Sequence, residues 1–205
     1  MHVWDDTRGH LEIPYRKYAY VKHSNGQHVS LYGDRLKKVT QFDKDDPTLH
    51  ESDVPPMTRF LVDQYGDSDE ASTGHRVMFF DIEVEVTEGF PDVQKAQNVI
   101  TSIALYDSTT EKYFTYVYDS KQRLKSYTKD DQVVEIYETE YEMLNKFFQK
   151  YLEIRPTIIS GWNSEFFDIP YLYNRAVRVL GPEVANLLSP ISQVIYSEYK
   201  KKHTI

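Results

Sequence analysis

Cysteine is absent from the 205 residues, which removes disulfides and cysteine-ligated zinc from consideration. The absence is compatible with a reducing cytoplasm without requiring one. No apolar run approaches the roughly 20 residues that a bilayer span needs, and the first residues lack the apolar stretch of a signal peptide. Neither a membrane nor a disulfide partner is expected. Positive charge is also in short supply: the formal net charge is −8, which argues against gripping nucleic acid by phosphate neutralisation. The same charge is compatible with an enzyme that meets phosphate through bound divalent cations, because such sites need clustered carboxylates. There is no Walker-type glycine loop and no Gly-x-Ser-x-Gly elbow, so nucleotide triphosphate hydrolysis and serine hydrolase chemistry have no support. The seven histidines show no metal-ligand spacing, and a histidine-based metal site is not expected. Asp43, Asp45, Asp46 and Asp67, Asp69, Glu70 lack a calcium-loop pattern, and they read as solvated, as do Lys200, Lys201 and Lys202.

What remains is globular in composition, with 40% hydrophobic and 27% charged residues, and rich in rings, with 17 Tyr and 10 Phe. The length suits one substantial domain plus a smaller one. Near the start, Tyr18–Val21 and His28–Tyr32 flank His23-Ser24-Asn25-Gly26, which predicts a β-hairpin closed by an Asn-Gly turn. Residues 43–58, acidic and broken by Pro47, Pro55 and Pro56, predict a loop. The polar stretch Asp67–Gly74 predicts a linker, dividing a β-rich unit (1–70) from a second unit (71–205). There the strands expected are Arg76–Val86, Asn98–Tyr106 and Tyr113–Tyr118. Leu144, Phe147, Phe148, Tyr151 and Leu152 then recur with helical spacing, opened by Thr139 with Glu142 and closed by Pro156. Thr157–Ser160 predicts a short buried strand. Asp168 precedes a second helix, with Pro170 in its first turn and Gly181-Pro182 as its stop. The order β-β-β-α-β-α points to a mixed α/β sheet with packed helices.

Phe79-Phe80-Asp81-Ile82-Glu83 carries the first chemical signal. Alternation along a strand places Asp81 and Glu83 on one face, about 7 Å apart, and leaves Met78, Phe80, Ile82, Val84 and Val86 as an apolar row on the other. Adjacent carboxylates on a central strand are costly without a cation between them, and a hard divalent ion such as Mg²⁺ or Mn²⁺ suits oxygen ligands. Glu85 has the same parity, so a solvated sheet face explains the acids equally well. The second signal is Ile158–Tyr171, where Gly161, Trp162, Asn163, Phe166 and Phe167 crowd around Asp168. N-capping accounts for Asp168 alone but not for that company.

Together these segments resemble the first two exonuclease motifs of family B DNA polymerases. The first matches as Asp81-x-Glu83 and the second as Asn163-x-x-x-Phe167-Asp168. The resemblance to T-even-like phage members, marine relatives included, extends through Phe90-Pro91-Asp92, Gly161-Trp162-Asn163 and Leu188-Ser189-Pro190-Ile191, and spans essentially the whole chain. It implies an RNase H-like fold of the DEDDy exonuclease type behind a small β-rich part of the polymerase N-terminal domain. It also implies that Asp81, Glu83 and Asp168 help hold two divalent metals, Mg²⁺ or Mn²⁺. These would help generate hydroxide and stabilise charge at the scissile phosphate. Asn163 and Phe167 would support the site and the single-stranded 3′ end of DNA, although a turn-stabilising Asn and a core Phe explain them too. The setting implied is the cytoplasm of an infected bacterial host.

The family's third motif, Tyr-x-x-x-Asp, supplies the last carboxylate, and nothing after Asp168 matches it. The expectation is therefore a domain truncated at its C-terminal end, with weak or no nuclease activity alone. It would be a fragment or split subunit of a replicative polymerase that needs a complementary C-terminal polypeptide. The alternative is a non-catalytic fragment that binds that polypeptide, single-stranded DNA, or both. An open sheet edge with apolar surface would favour association.

Overall fold

A computed structural model describes residues 1–5, 9–69, 71, 73–87 and 89–195. The lysines at 200–202 and part of the expected linker fall outside these residues. The chain divides into two compact units, Met1–Ala71 and Ser72–Ile205.

The first unit holds two small antiparallel sheets and a helix. β1 (His2–Asp5) pairs with β2 (Gly9–Glu12). The second sheet contains β3 (Ala19–Lys22), β4 (His28–Val29), β5 (Arg35–Val39) and β6 (Leu49–His50), ordered β4-β5-β3-β6. The hairpin expected across Asn25-Gly26 is therefore wrong, because β3 and β4 do not pair with each other. β5, with buried Leu36, sits between them and pairs with both. Gly26 serves that insertion, since a Cβ there would fall 2.4 Å from the Leu36 carbonyl. The loop expected at 43–58 is interrupted by β6 and gives way at its end to α1 (Pro56–Tyr65), with Pro in the first turn where no N–H is needed. The apolar interior is small: Tyr18, Ala19, Leu36 and Phe60 are buried together with Arg59. The Arg59 guanidinium lies 4.4 Å from the Tyr18 ring centre and 2.5 Å from the Glu51 carboxylate.

The second unit is a mixed sheet with helices. β7 (Val77–Val84), β8 (Ile100–Asp107) and β9 (Lys112–Tyr118) form an antiparallel meander. Two strands unforeseen in the sequence follow, β10 (Tyr127–Lys129) and β11 (Gln132–Tyr137), and β11 runs parallel to β9. After α2 (Glu140–Ile154), β12 (Ile158–Ser160) pairs in parallel with β7, giving the order β10-β11-β9-β8-β7-β12. β12 is an edge strand rather than a buried one, with Ile158 and Ile159 exposed. Next come α3 (Asp168–Val179), α4 (Pro182–Ala185) and a 3₁₀ turn over Asn186–Leu188.

The core lies on one face of this sheet. Met78, Phe80 and Ile82 of β7 pack in one cluster with Met143, Leu144, Phe147 and Phe148 of α2 and Tyr171, Leu172 and Ala176 of α3. The Thr139 hydroxyl oxygen caps α2 by accepting the Glu142 N–H at 3.2 Å, and Arg155 ends the helix in the left-handed region at φ 46°. Leu152, placed on the apolar face by spacing, is exposed. Glu140 and Arg175 brace α2 against α3 through a nearly buried ion pair, 2.6 Å at Nη2. The Glu140 carboxylate also accepts the Ile100 N–H at 2.8 Å. The opposite face of the sheet, carrying Phe79, Asp81, Glu83, Ala104 and Tyr113, is exposed.

Candidate functional site

The site forms where β12 ends beside β7. Their pairing covers only Val77–Phe79 of β7, so the backbone of Phe80 to Ile82 on that side needs other partners. Gly161 fills the first gap: a Cβ there would lie 2.3 Å from the Phe80 carbonyl oxygen, so only glycine lets the chain turn so close. The next residues form a turn with Asn163 in the left-handed region at φ 57°, a conformation Asn tolerates better than most side chains. The Asn163 carbonyl accepts the N–H groups of Phe166 and Phe167. That turn delivers Asp168 to the second gap, where its Oδ1 accepts the Ile82 N–H at 3.3 Å.

N-capping of α3 therefore does not account for Asp168. It is the first helical residue, Phe167 is the cap position, and no side chain caps the helix. Asp168 is almost fully buried. Burial pushes its carboxyl above the usual carboxylate range, and the negative charges of Asp81 and Glu83 push the same way, against the Ile82 N–H, which favours the anion. Strand and helix N-terminus thus bring the three predicted carboxylates into one electrostatic neighbourhood. Glu85 does not extend the row, because β7 ends at Val84 with a register shift between Glu83 and Val84, and Val86 lies beyond the strand, exposed.

The donor set is all oxygen, and two of its members are open to solvent beside a buried third. This suits a hard divalent cation, which would offset both the burial of Asp168 and its repulsion by Asp81 and Glu83. The three do not form a closed cage. Among the described residues, the one group whose ligand atoms lie within 4.8 Å of one another is His2, His10 and Glu12. Linear spacing gave no sign of this proximity, which strand pairing across β1 and β2 creates.

Aromatic residues cluster at the turn that carries Asp168. The half-buried Phe167 ring contacts Phe90 (5.1 Å between centroids) and Tyr171 (5.4 Å), so the packing role left open for Phe167 is present. Phe90, Trp162 and Phe166 are exposed, and the sequence reading assigned none of them to the site. The cluster of rings beside a turn was their signal. On the Asp81 face, Phe79, Tyr106 and Tyr113 line up across three strands, with centroids 6.4 and 4.9 Å apart. The Tyr171 hydroxyl donates to the Asn98 carbonyl at 2.8 Å and locks α3 to the loop before β8.

Comparison with known proteins gives a consistent match. Residues 65–202 match the family described as DNA polymerase family B, exonuclease domain. The chain is similar to the DNA-directed DNA polymerase of Escherichia phage RB69, 33% identical over 138 residues, which are 56% of this chain and 15% of that protein. It is similar to the DNA-directed DNA polymerase of Enterobacteria phage T4, 29% identical over 157 residues, 66% of this chain and 17% of that protein. DNA polymerase 1 of Saccharolobus solfataricus is 28% identical over 148 residues, 72% of this chain and 15% of that protein. The chain thus spans less than a fifth of the length of each of these relatives. No helix among the described residues is long and apolar enough to cross a membrane.

Proposed function

The chain belongs to the exonuclease-domain family of family B DNA polymerases, and from that premise we propose that it carries part of a 3′→5′ proofreading exonuclease acting on single-stranded DNA ends. Its mixed sheet with packed helices is the RNase H-like architecture of that family. One observation carries the proposal: Asp168, buried at the start of α3, accepts the Ile82 N–H at 3.3 Å and so stands against the strand whose exposed face carries Asp81 and Glu83.

Asp81, Glu83 and Asp168 would hold Mg²⁺ or Mn²⁺. When bound, a pair of such ions supplies Lewis-acid stabilisation of the charge that develops at a phosphate during in-line hydrolysis. The chain's own residues set the stage. The Ile82 N–H fixes the Asp168 rotamer. Gly161 and Asn163 shape the turn that aims it. Phe167 supports Phe90, and exposed Phe90, Trp162 and Phe166 offer rings on which unpaired bases stack without regard to sequence. No Asp follows Asp168 in the sequence. These 205 residues thus supply the carboxylates of the first two motifs of the family pattern and not that of the third. On this reading the chain by itself hydrolyses DNA weakly, and the setting is the cytoplasm of an infected bacterial host.

The test is Mn²⁺-dependent digestion of a 3′-labelled single-stranded oligonucleotide, with and without a polymerase polypeptide bearing the third motif. An Asp81→Ala, Glu83→Ala double variant is the control, and Mn²⁺ binding is followed in parallel by electron paramagnetic resonance. The double variant should lose Mn²⁺ binding at this site and on the order of 10²–10³-fold in cleavage, the equivalent of several kcal/mol of charge stabilisation. Cleavage and Mn²⁺ binding that survive the double substitution would sink the assignment. DNA binding with no cleavage in either arm, complemented or not, would favour a purely binding role.

A further inference from the structure

The amino-terminal hairpin carries an arrangement that the exonuclease reading does not use. β1 and β2 pair with His2 opposite Glu12 and Trp4 opposite His10. Directly opposed residues project from the same face of a ribbon, and residues two apart along a strand share a face. The register therefore gathers His2, His10 and Glu12 on one side. Their atoms meet: the two imidazoles face each other edge to edge, with centroids 5.1 Å apart and 19° between planes. His2 Nδ1 lies 2.9 Å from His10 Nε2 and 3.8 Å from Glu12 Oε1. One ligand atom from each residue falls within 4.8 Å of the others, and all three side chains are exposed.

We propose that His2, His10 and Glu12 form a transition-metal site that takes Zn²⁺ or a similar borderline ion such as Co²⁺, with solvent completing the coordination. Two imidazole nitrogens and one carboxylate oxygen select this class, whereas Mg²⁺ and Ca²⁺ prefer oxygen alone. A tetrahedral ion about 2.0–2.1 Å from each donor sets neighbouring donors about 3.3 Å apart, and the separations of 2.9 and 3.8 Å bracket that value. Binding asks the two rings to turn from facing one another across a shared proton until both lone pairs converge on the ion, a motion that their exposure permits. The bound ion would clip β1 to β2 across the strands. The inference is independent of the exonuclease reading, since it uses a different donor set in the other compact unit.

The experiment uses the whole chain, stripped of metal and titrated with Co²⁺ in excess Mg²⁺, with the visible d–d absorption as readout and Zn²⁺ as competitor. One equivalent should give the absorption of a low-coordinate, nitrogen-ligated Co²⁺, displaced by Zn²⁺. His10→Ala should weaken binding about tenfold or more, and Glu12→Gln should weaken it less. These side chains are exposed, so the variants leave folding intact. An Asp81→Asn, Glu83→Gln variant should bind Co²⁺ as the parent does. Equal affinity in His2→Ala, His10→Ala and parent, or no absorption change at one equivalent, overturns the proposal.

Discussion

The two compact units hold themselves together by different means. In the second, one continuous apolar cluster joins β7, β8 and β9 to α2 and α3, so each element is stabilised by burial against several others. In the first, few apolar side chains are buried, and the packing is completed by a cation, Arg59, seated against the rings of Tyr18 and Tyr20. A large core makes secondary structure predictable, because burial demands periodicity. A small, partly polar core imposes no such pattern. Asp81, Glu83 and Asp168 stand on the first kind of scaffold and His2, His10 and Glu12 on the second.

The sharpest way to break this comparison is to remove one arginine from each unit. Arg175→Ala leaves the Glu140 carboxylate nearly buried without its cation and should cost about 3–5 kcal/mol. Arg59→Ala removes a pair whose carboxylate partner is half-exposed, and should cost roughly 1–2 kcal/mol, mostly as lost packing. Hydrogen exchange resolved by residue would report each loss within its own unit. Equal losses would mean that the first unit relies on its polar contacts as heavily as the second.

A smaller effect is expected where scaffold meets site. Gly161→Ala brings a methyl group against the Phe80 carbonyl and should cost about 1–3 kcal/mol by forcing backbone movement. Because Asp168 follows on the same turn, Mn²⁺ affinity should fall by more than stability loss alone explains. A variant that keeps parental Mn²⁺ binding would show that the turn does not aim Asp168.

The smallest effect is electrostatic. The Asp168 carboxyl is held above its ordinary range by burial and by Asp81 and Glu83, so the fold disfavours its ionised form. Its contribution to stability is then greatest below the unfolded carboxylate pKa and is lost as pH rises through the folded value. Asp168→Asn should therefore melt higher than the parent at pH 7 in EDTA and equal to it near pH 3, where both are neutral (about one unit below an unperturbed Asp). Mn²⁺ should reverse the order at pH 7. Thermal melts at the two pH values check the sign.

Much of the second unit could be read before any coordinates. Alternation in residues 77–84, the Thr139 cap and the helical spacing of Leu144, Phe147, Phe148 and Tyr151 are local signals, and each element formed near its expected place. β11 was missed although Gln132–Tyr137 has strand-like composition, since its pairing partner β9 lies on the far side of β10 in sequence. In the first unit the Asn-Gly turn misled, because turn chemistry specifies a bend and not which strands then pair.

By itself, the sequence determined which residues carry charge and apolar surface, which face of β7 each would occupy, and the motifs that link the chain to its family. Those are short-range properties, set by alternation, capping and the shapes of individual side chains. Only the tertiary structure decided that β12 stops short and leaves the Ile82 N–H to Asp168, that Gly161 is there for the Phe80 carbonyl, and that His2, His10 and Glu12 meet. Each depends on the register between strands, and register is settled by which surfaces the whole chain buries.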